Sequence, residues 1–215
     1  MICAGIDIGS LTAECVLVDD GGLVASSRQR VQPNPVDSAR AVLGEALDGA
    51  ALDRDAVGRT VATGYGREKL CEVGLADEDI SEISCHGFGV FSLRPTVRTI
   101  VDIGGQDAKV IRVDERGDLG HFAMNDKCAA GTGHFLELMS RSLDVELGEL
   151  GPLALCARHA AEMSSRCSIF LETEVIHDLQ RGIAREDVAA GICRALAERV
   201  AALARRVHPE RELAM

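Results

Sequence analysis

The sequence predicts an α/β fold built twice, as two lobes that each open with a strand, a glycine turn and a second strand. Three observations carry that prediction. The phrase Ile6-Asp7-Ile8-Gly9-Ser10-Leu11-Thr12-Ala13 returns as Val101-Asp102-Ile103-Gly104-Gly105-Gln106-Asp107-Ala108. An apolar run precedes each copy and another follows it, Cys15 to Val18 and then Val110 to Val113, the pattern of strands joined by a tight turn. Pro95 closes a short helical stretch and marks the boundary between a first lobe at 1–95 and a second at 96–215.

Strands are expected near 3–8, 13–19 and 23–31, a helix near 36–48, and a further strand at Thr60-Val61-Ala62. Residues 84–93 read as a short helix that stops at Pro95. The second lobe opens with a strand at 98–103, repeats the strand pairing to about 124, and is mostly helical afterwards. Val188, Ile192, Leu196, Val200, Leu203 and Val207 recur at spacings of three and four, which predicts a strong packing helix. The acidic run Asp77-Glu78-Asp79 is expected to be a solvated loop. Tyr65, between Gly64 and Gly66, either lines a cleft or caps a turn.

Gly9 and Gly104-Gly105 let the backbone bend and approach a ligand, because no Cβ stands in the way. The N–H groups of such a turn can form an anion nest, with the preceding Asp7 or Asp102 left to hold a metal ion. A lone Asp-x-Gly turn is most often a plain hairpin. Two in equivalent places of a duplicated fold point to lobes gripping one polyphosphate from opposite sides.

With 215 residues the chain can bury a good core as one large or two small domains. Apolar residues at 47% and charged residues at 27% describe an ordinary globular protein. The net charge of −11 argues against nucleic acid and against anionic membranes, both of which call for a basic face. Aromatics at 3% leave few stacking platforms for single strands. Residues 1–7 read as a strand rather than a leader, and no apolar stretch reaches membrane-span length, so the cytoplasm is the expected compartment.

Eight cysteines in a reducing compartment read as core thiols, metal ligands or redox residues. Cys3, Cys15 and Cys193 read as small buried hydrophobes, while Cys71, Cys85 and Cys156 lack a ligand-like neighbourhood. Cys128 and Cys167 differ. Each stands just before a predicted helix start and beside a cation, Lys127 or Arg166, where a thiolate is favoured. Two thiolates cannot complete a four-cysteine iron–sulfur site, but two identical chains on a two-fold axis could. Two unrelated cysteines near loop ends account for the spacing equally well.

The Asp102-Ile103-Gly104-Gly105-Gln106-Asp107 turn, the run from Asn125 to Gly133 and Ser165-Arg166-Cys167 together resemble the activators of 2-hydroxyacyl-CoA dehydratases. That family also holds the ATPase subunits of benzoyl-CoA reductases. Ala62 to Arg67, Glu82 to His86 and Glu172 to Ile176 agree as well, so the resemblance runs from about residue 4 to about residue 207. It implies a homodimer of the actin, sugar-kinase and heat-shock-chaperone fold, with ribonuclease-H-like lobes binding ATP and Mg2+. It further implies one [4Fe-4S] cluster shared between subunits. ATP hydrolysis would drive one electron, received from a ferredoxin or flavodoxin, into the partner dehydratase or reductase.

Carried over onto this sequence, Cys128 and Cys167 become cluster ligands. Gly9, Ser10, Leu11, Thr12 and Ala13 form the first phosphate loop, and Gly104, Gly105, Gln106 and Asp107 the second. Asp7, Asp102 and Gln106 take the catalytic positions. Two departures stand out. Glu14 occupies a place where the family usually has lysine, whereas its repeat equivalent is Lys109. The chain also stops at Met215, where the resemblance leads one to expect a further strand and an adenosine-binding turn. The second lobe is therefore expected to be shortened, with an unfilled sheet position and weakened nucleotide binding. The competing reading is a non-hydrolysing iron–sulfur carrier or an inactive remnant. A small-molecule kinase would explain the turns but not the cysteines.

Overall fold

The computed structural model describes residues 1–125, 132–163 and 167–215. They form two compact units, Met1–Cys85 and His86–Met215. The division falls inside helix α3 (Glu82–Leu93), short of the Pro95 boundary expected from sequence.

The first unit begins as an antiparallel meander of β1 (Ile2–Ile8), β2 (Thr12–Asp19) and β3 (Gly22–Arg30). Helix α1 (Pro35–Ala50) then crosses over to β4 (Val57–Gly64), which lies parallel to β1. A short helix α2 (Arg67–Glu72) leads to β5 (Glu78–Asp79), and the sheet order is β3-β2-β1-β4-β5. Helix α1 starts where it does because Asn34 accepts the Val36 N–H at 3.1 Å and Pro35 presets the first turn. Its buried face, Ala39, Val42, Leu43, Ala46 and Leu47, belongs to one core with Ala4, Ile6 and Ile8 of β1 and Ala13, Cys15 and Leu17 of β2. Strand alternation therefore sends Asp7 and Glu14 to the opposite face.

The acidic run is exposed as expected, but it is not all loop. Glu78 and Asp79 form the edge strand β5, parallel to Val61-Ala62. Their charges have partners: Arg59 meets Glu78, Arg67 Nε lies 3.1 Å from Asp79, and Asp77 accepts the Thr60 N–H at 2.7 Å. A short, charged edge also discourages pairing with another chain.

The second unit repeats the plan. Strands β6 (Thr99–Ile103), β7 (Ala108–Val113) and β8 (Leu119–Asn125) form the meander, and β9 (Leu213–Ala214) lies parallel to β6, in the order β8-β7-β6-β9. The place beside β6 is thus filled, contrary to the expectation of an unfilled sheet position. Backbone groups on that side of β6 find acceptors in the chain leaving the last helix. The Arg98 and Thr99 N–H groups donate to Glu212 O at 2.9 and 3.2 Å, and Thr99 Oγ1 donates to Glu210 O at 2.9 Å.

Between β8 and β9 lie α4 (Gly133–Ser142), α5 (Leu147–Leu155), α6 (Ser168–Gln180) and α7 (Arg185–Arg205). Phe135, Met139, Leu143, Leu171, Val175, Val188 and Ile192 make the helical core. The far end of the α7 stripe, Leu203 with Val207, packs instead with Val101, Ala108, Val110 and Ala123 of the sheet. One continuous apolar stripe therefore serves both cores. Among the described residues, no helix is long and apolar enough to cross a membrane.

Two glycines separate backbone propensity from packing. Gly44 lies within α1 with open space around it, so Gly44→Ala should stabilise the chain by about 0.5–1 kcal/mol. Gly64 has φ +81, and a Cβ there would collide with Asp7 Oδ1 and lie 2.5 Å from Ile8 O. Gly64→Ala should destabilise by at least about 2 kcal/mol. Urea denaturation checks both, and equal effects would contradict the close approach at Gly64.

Candidate functional site

The first glycine turn joins β1 to β2. Gly9 N donates to Thr12 O at 3.0 Å, closing the hairpin directly after the Ile8↔Ala13 pair. Leu11 O accepts the Val31 N–H at 2.9 Å, which ties the turn to the end of β3. Among the described residues no acceptor takes the N–H groups of Ser10 and Leu11. Asp7 stands at the end of β1 with Glu14 and Thr63 as its register partners on either side. Behind it, Gly66 N donates to Ile8 O at 3.1 Å, and Gly64 leaves room for the carboxylate. Tyr65 between these glycines is exposed.

Glu14 is not a bare carboxylate beside this turn. Arg28 Nε lies 3.0 Å from Glu14 Oε1, and the Thr12 hydroxyl donates to the same oxygen at 3.4 Å. The cation absent from position 14 is present one strand further out, because Glu14 and Arg28 are paired in the β2–β3 register.

The second turn has the same backbone and different charges. Gly104 N donates to Asp107 O at 2.9 Å, and a Cβ on Gly104 would stand 2.8 Å from Asp107 Oδ1. The start of α4 docks behind it, with Gly133 N donating to Gly104 O at 2.8 Å and His134 N to Gly105 O at 2.9 Å. The helix thus occupies the carbonyls of the turn. The N–H groups of Gly105 and Gln106 donate to no described residue, and Gln106 is exposed at the tip.

Below the tip lies a buried charge cluster. Lys109, only 1% exposed, places Nζ 2.6 Å from Asp107 Oδ1 and 3.1 Å from Asp102 Oδ2. His86 Nδ1 lies 3.1 Å from the same Asp102 oxygen. Burial alone would raise the Asp102 carboxyl, but the His86 and Lys109 contacts outweigh it and hold it below its ordinary value. The ammonium of Lys109 is therefore committed to two carboxylates. The sequence marks Lys109 only as the repeat equivalent of Glu14; the geometry makes it the support of Asp102 and Asp107. It also brings in His86, which the sequence signalled only as part of the Glu82-to-His86 agreement.

The cysteines divide as follows. Cys167 is the N-cap of α6, half-buried, with extended backbone and no side-chain capping bond. Cys128, with Lys127 and most of the run from Asn125 to Gly133, lies outside the described residues, as does Arg166. Burial pushes the Cys15 thiol up to about 11, with Arg54 opposing in part, and burial also raises Cys193. Both are inert core thiols. Cys3 and Cys85 are half-buried and Cys156 is exposed.

Residues 4–215 match the model of the BadF/BadG/BcrA/BcrD ATPase family. The chain belongs to that family. Its architecture is accordingly the α/β fold of actin, the sugar kinases and the heat-shock-chaperone ATPases. The activator of lactoyl-CoA dehydratase from Anaerotignum propionicum is 44% identical over 216 residues, covering 100% of this chain and 82% of that protein. Component A of the Acidaminococcus fermentans (R)-2-hydroxyglutaryl-CoA dehydratase superposes with a TM-score of 0.93 at 40% identity, covering 99% of this chain and 81% of that one. The Clostridium difficile activator of 2-hydroxyisocaproyl-CoA dehydratase, solved with bound ADPNP, gives 0.91 at 40% identity, covering 99% and 78%. The match to this ATPase family extends to residue 215 and lends no support to the expected shortening.

Lys109→Met should destabilise the second unit by about 3–5 kcal/mol at neutral pH, since it strands two carboxylates without their counter-charge. The loss should shrink in acid as Asp102 protonates. For Asp102 itself the folded value lies below the unfolded one of about 3.9. Its contribution is therefore full above about pH 4 and disappears as pH falls through the folded value. Urea denaturation from pH 7 down to pH 3, with Asp102→Asn as reference, measures both effects. A Lys109→Met loss independent of pH would contradict the charge cluster.

Proposed function

We propose that this family member is an ATP-dependent activator that couples ATP hydrolysis to one-electron transfer into a 2-hydroxyacyl-CoA dehydratase or benzoyl-CoA reductase-type enzyme. The observation that carries this reading is the pair of N–H groups in each turn that donate to no described residue, Ser10 with Leu11 and Gly105 with Gln106, each near a strand-end aspartate. Such groups suit phosphate oxygens, which form charge-assisted bonds with backbone donors. The Clostridium difficile relative carries a triphosphate analogue, in keeping with that choice of ligand.

Asp7 and Asp102, each near the end of its strand, are the carboxylates assigned here to Mg2+ and to the attacking water. Gln106, exposed at its turn, can accept from or donate to that water through its amide. The water attacks the γ-phosphorus, the bond to the ADP oxygen breaks, and a carboxylate takes the proton. Thr12, Ala13 and Asp107 serve mainly through the backbone, since the Asp107 carboxylate is held by Lys109.

Cys128 and Cys167 of each chain, joined by the same pair from a second copy, would hold a [4Fe-4S] cluster. It supplies one-electron chemistry when bound. Cys167 suits a thiolate ligand because the positive end of α6 lies at its own backbone. A ferredoxin or flavodoxin would be the electron donor and the cytoplasm the compartment. The seven described cysteines are free thiols, which suits that reducing setting.

Anaerobically purified protein should hold about four irons per dimer. Cys128→Ala should lose them, and an iron chelator should shift the protein toward monomer in sedimentation. Unchanged iron in Cys128→Ala, or zinc in its place, would sink the shared cluster. Magnesium-dependent ATP turnover should fall at least about 100-fold in Asp102→Asn. Iron without any turnover would favour the non-hydrolysing carrier instead. Arg28→Ala, which leaves the Glu14 charge uncompensated, should weaken magnesium–ADP binding several-fold by calorimetry, and adding Glu14→Gln should restore it.

A further inference from the structure

We propose that His86 is a positioning residue for Asp102, fixing one carboxylate oxygen so that the other meets the magnesium ion or the attacking water. The inference rests on reading the second turn as part of the ATP site. Two side chains converge on Asp102 Oδ2: Lys109 Nζ donates to it at 3.1 Å, and His86 Nδ1 lies 3.1 Å away. Asp102 Oδ1 accepts from no described residue.

The two side chains come from different elements. Lys109 reaches across from the paired strand, where Asp102↔Lys109 are register partners, and His86 comes from α3. A carboxylate held by one contact can still pivot about its Cβ–Cγ bond. A second contact from another direction fixes its plane. Charge balance does not require the histidine, because Lys109 already sits on both carboxylates.

The approach of α3 is built into the chain. Gly87, the residue after His86, is buried, and a Cβ there would stand 3.2 Å from Val113 Cγ1 and 3.6 Å from Ile111 Cγ2. The missing side chain lets the helix lie close on β7, which brings the imidazole within reach of Asp102.

The test compares the full chain with His86→Ala, His86→Asn and Asp102→Asn in steady-state ATP turnover and in calorimetric magnesium–ADP binding. His86→Ala should lower kcat about 10- to 100-fold, the effect of a misplaced catalytic group. KM for ATP and the ADP affinity should stay within about twofold, since binding rests on the turns rather than on the orientation of Asp102. His86→Asn, whose amide N–H can take the place of Nδ1, should recover most of the lost kcat. In the Asp102→Asn background His86→Ala should add nothing. A wild-type kcat in His86→Ala overturns the positioning role, and so does a loss in kcat and ADP affinity together that His86→Asn fails to rescue. A wild-type chain without any magnesium-dependent turnover overturns the proposed function and this inference with it, whereas turnover that ignores His86 overturns the inference alone.

Discussion

A single backbone hydrogen bond closes each glycine turn, Gly9 to Thr12 and Gly104 to Asp107, and the rest of each site depends on it. It holds the chain in a tight reversal at the end of a strand whose buried face is already committed to the core. The aspartate two residues before the glycine then has one available side, away from that core. The residues at the tip, Ser10 with Leu11 and Gly105 with Gln106, cannot join the ladder and keep their N–H groups unused within the described chain. A hairpin ordinarily leaves such groups to water. Here they stand near a carboxylate, the combination on which the proposed phosphate and magnesium site rests.

The two turns share a backbone and differ in charge. Position 12 is a threonine where its counterpart 107 is an aspartate, and position 14 is a glutamate where its counterpart 109 is a lysine. The second turn buries its cation between two carboxylates, an arrangement that is stable only while all partners are present. The first turn keeps its ion pair, Glu14 with Arg28, toward solvent, where screening makes the pair weak but also makes its rearrangement cheap. Rigidity is thus concentrated at Asp102, and adjustability lies beside Asp7.

Helix starts carry the remaining chemistry. Helix α4 directs its first N–H groups at the carbonyls of the second turn, so its dipole stabilises protein oxygen rather than a ligand. Helix α6 has Cys167 at the corresponding point, without a side-chain capping bond. Similar elements therefore serve different ends according to what the chain sets against their N-termini.

Much of this was legible in the sequence, because its signals are local. The strand–turn–strand repeat, the helix expected near 36–48 and the stripe of α7 follow from short-range periodicity, which neighbouring residues decide among themselves. The resemblance over nearly the whole chain added the family. Four features required the tertiary structure. Glu78-Asp79 became a strand because β4 offered its edge, and Leu213-Ala214 did so because β6 did. Glu14 found Arg28, and Lys109, marked in the sequence only as the repeat equivalent of Glu14, became the support of Asp102, with His86 beside it. Most of these are choices of partner between residues well separated in sequence, and Lys109 meets Asp102 only because β6 and β7 pair. A charged side chain carries no local mark of which opposite charge, or which unpaired backbone group, folding will bring to it.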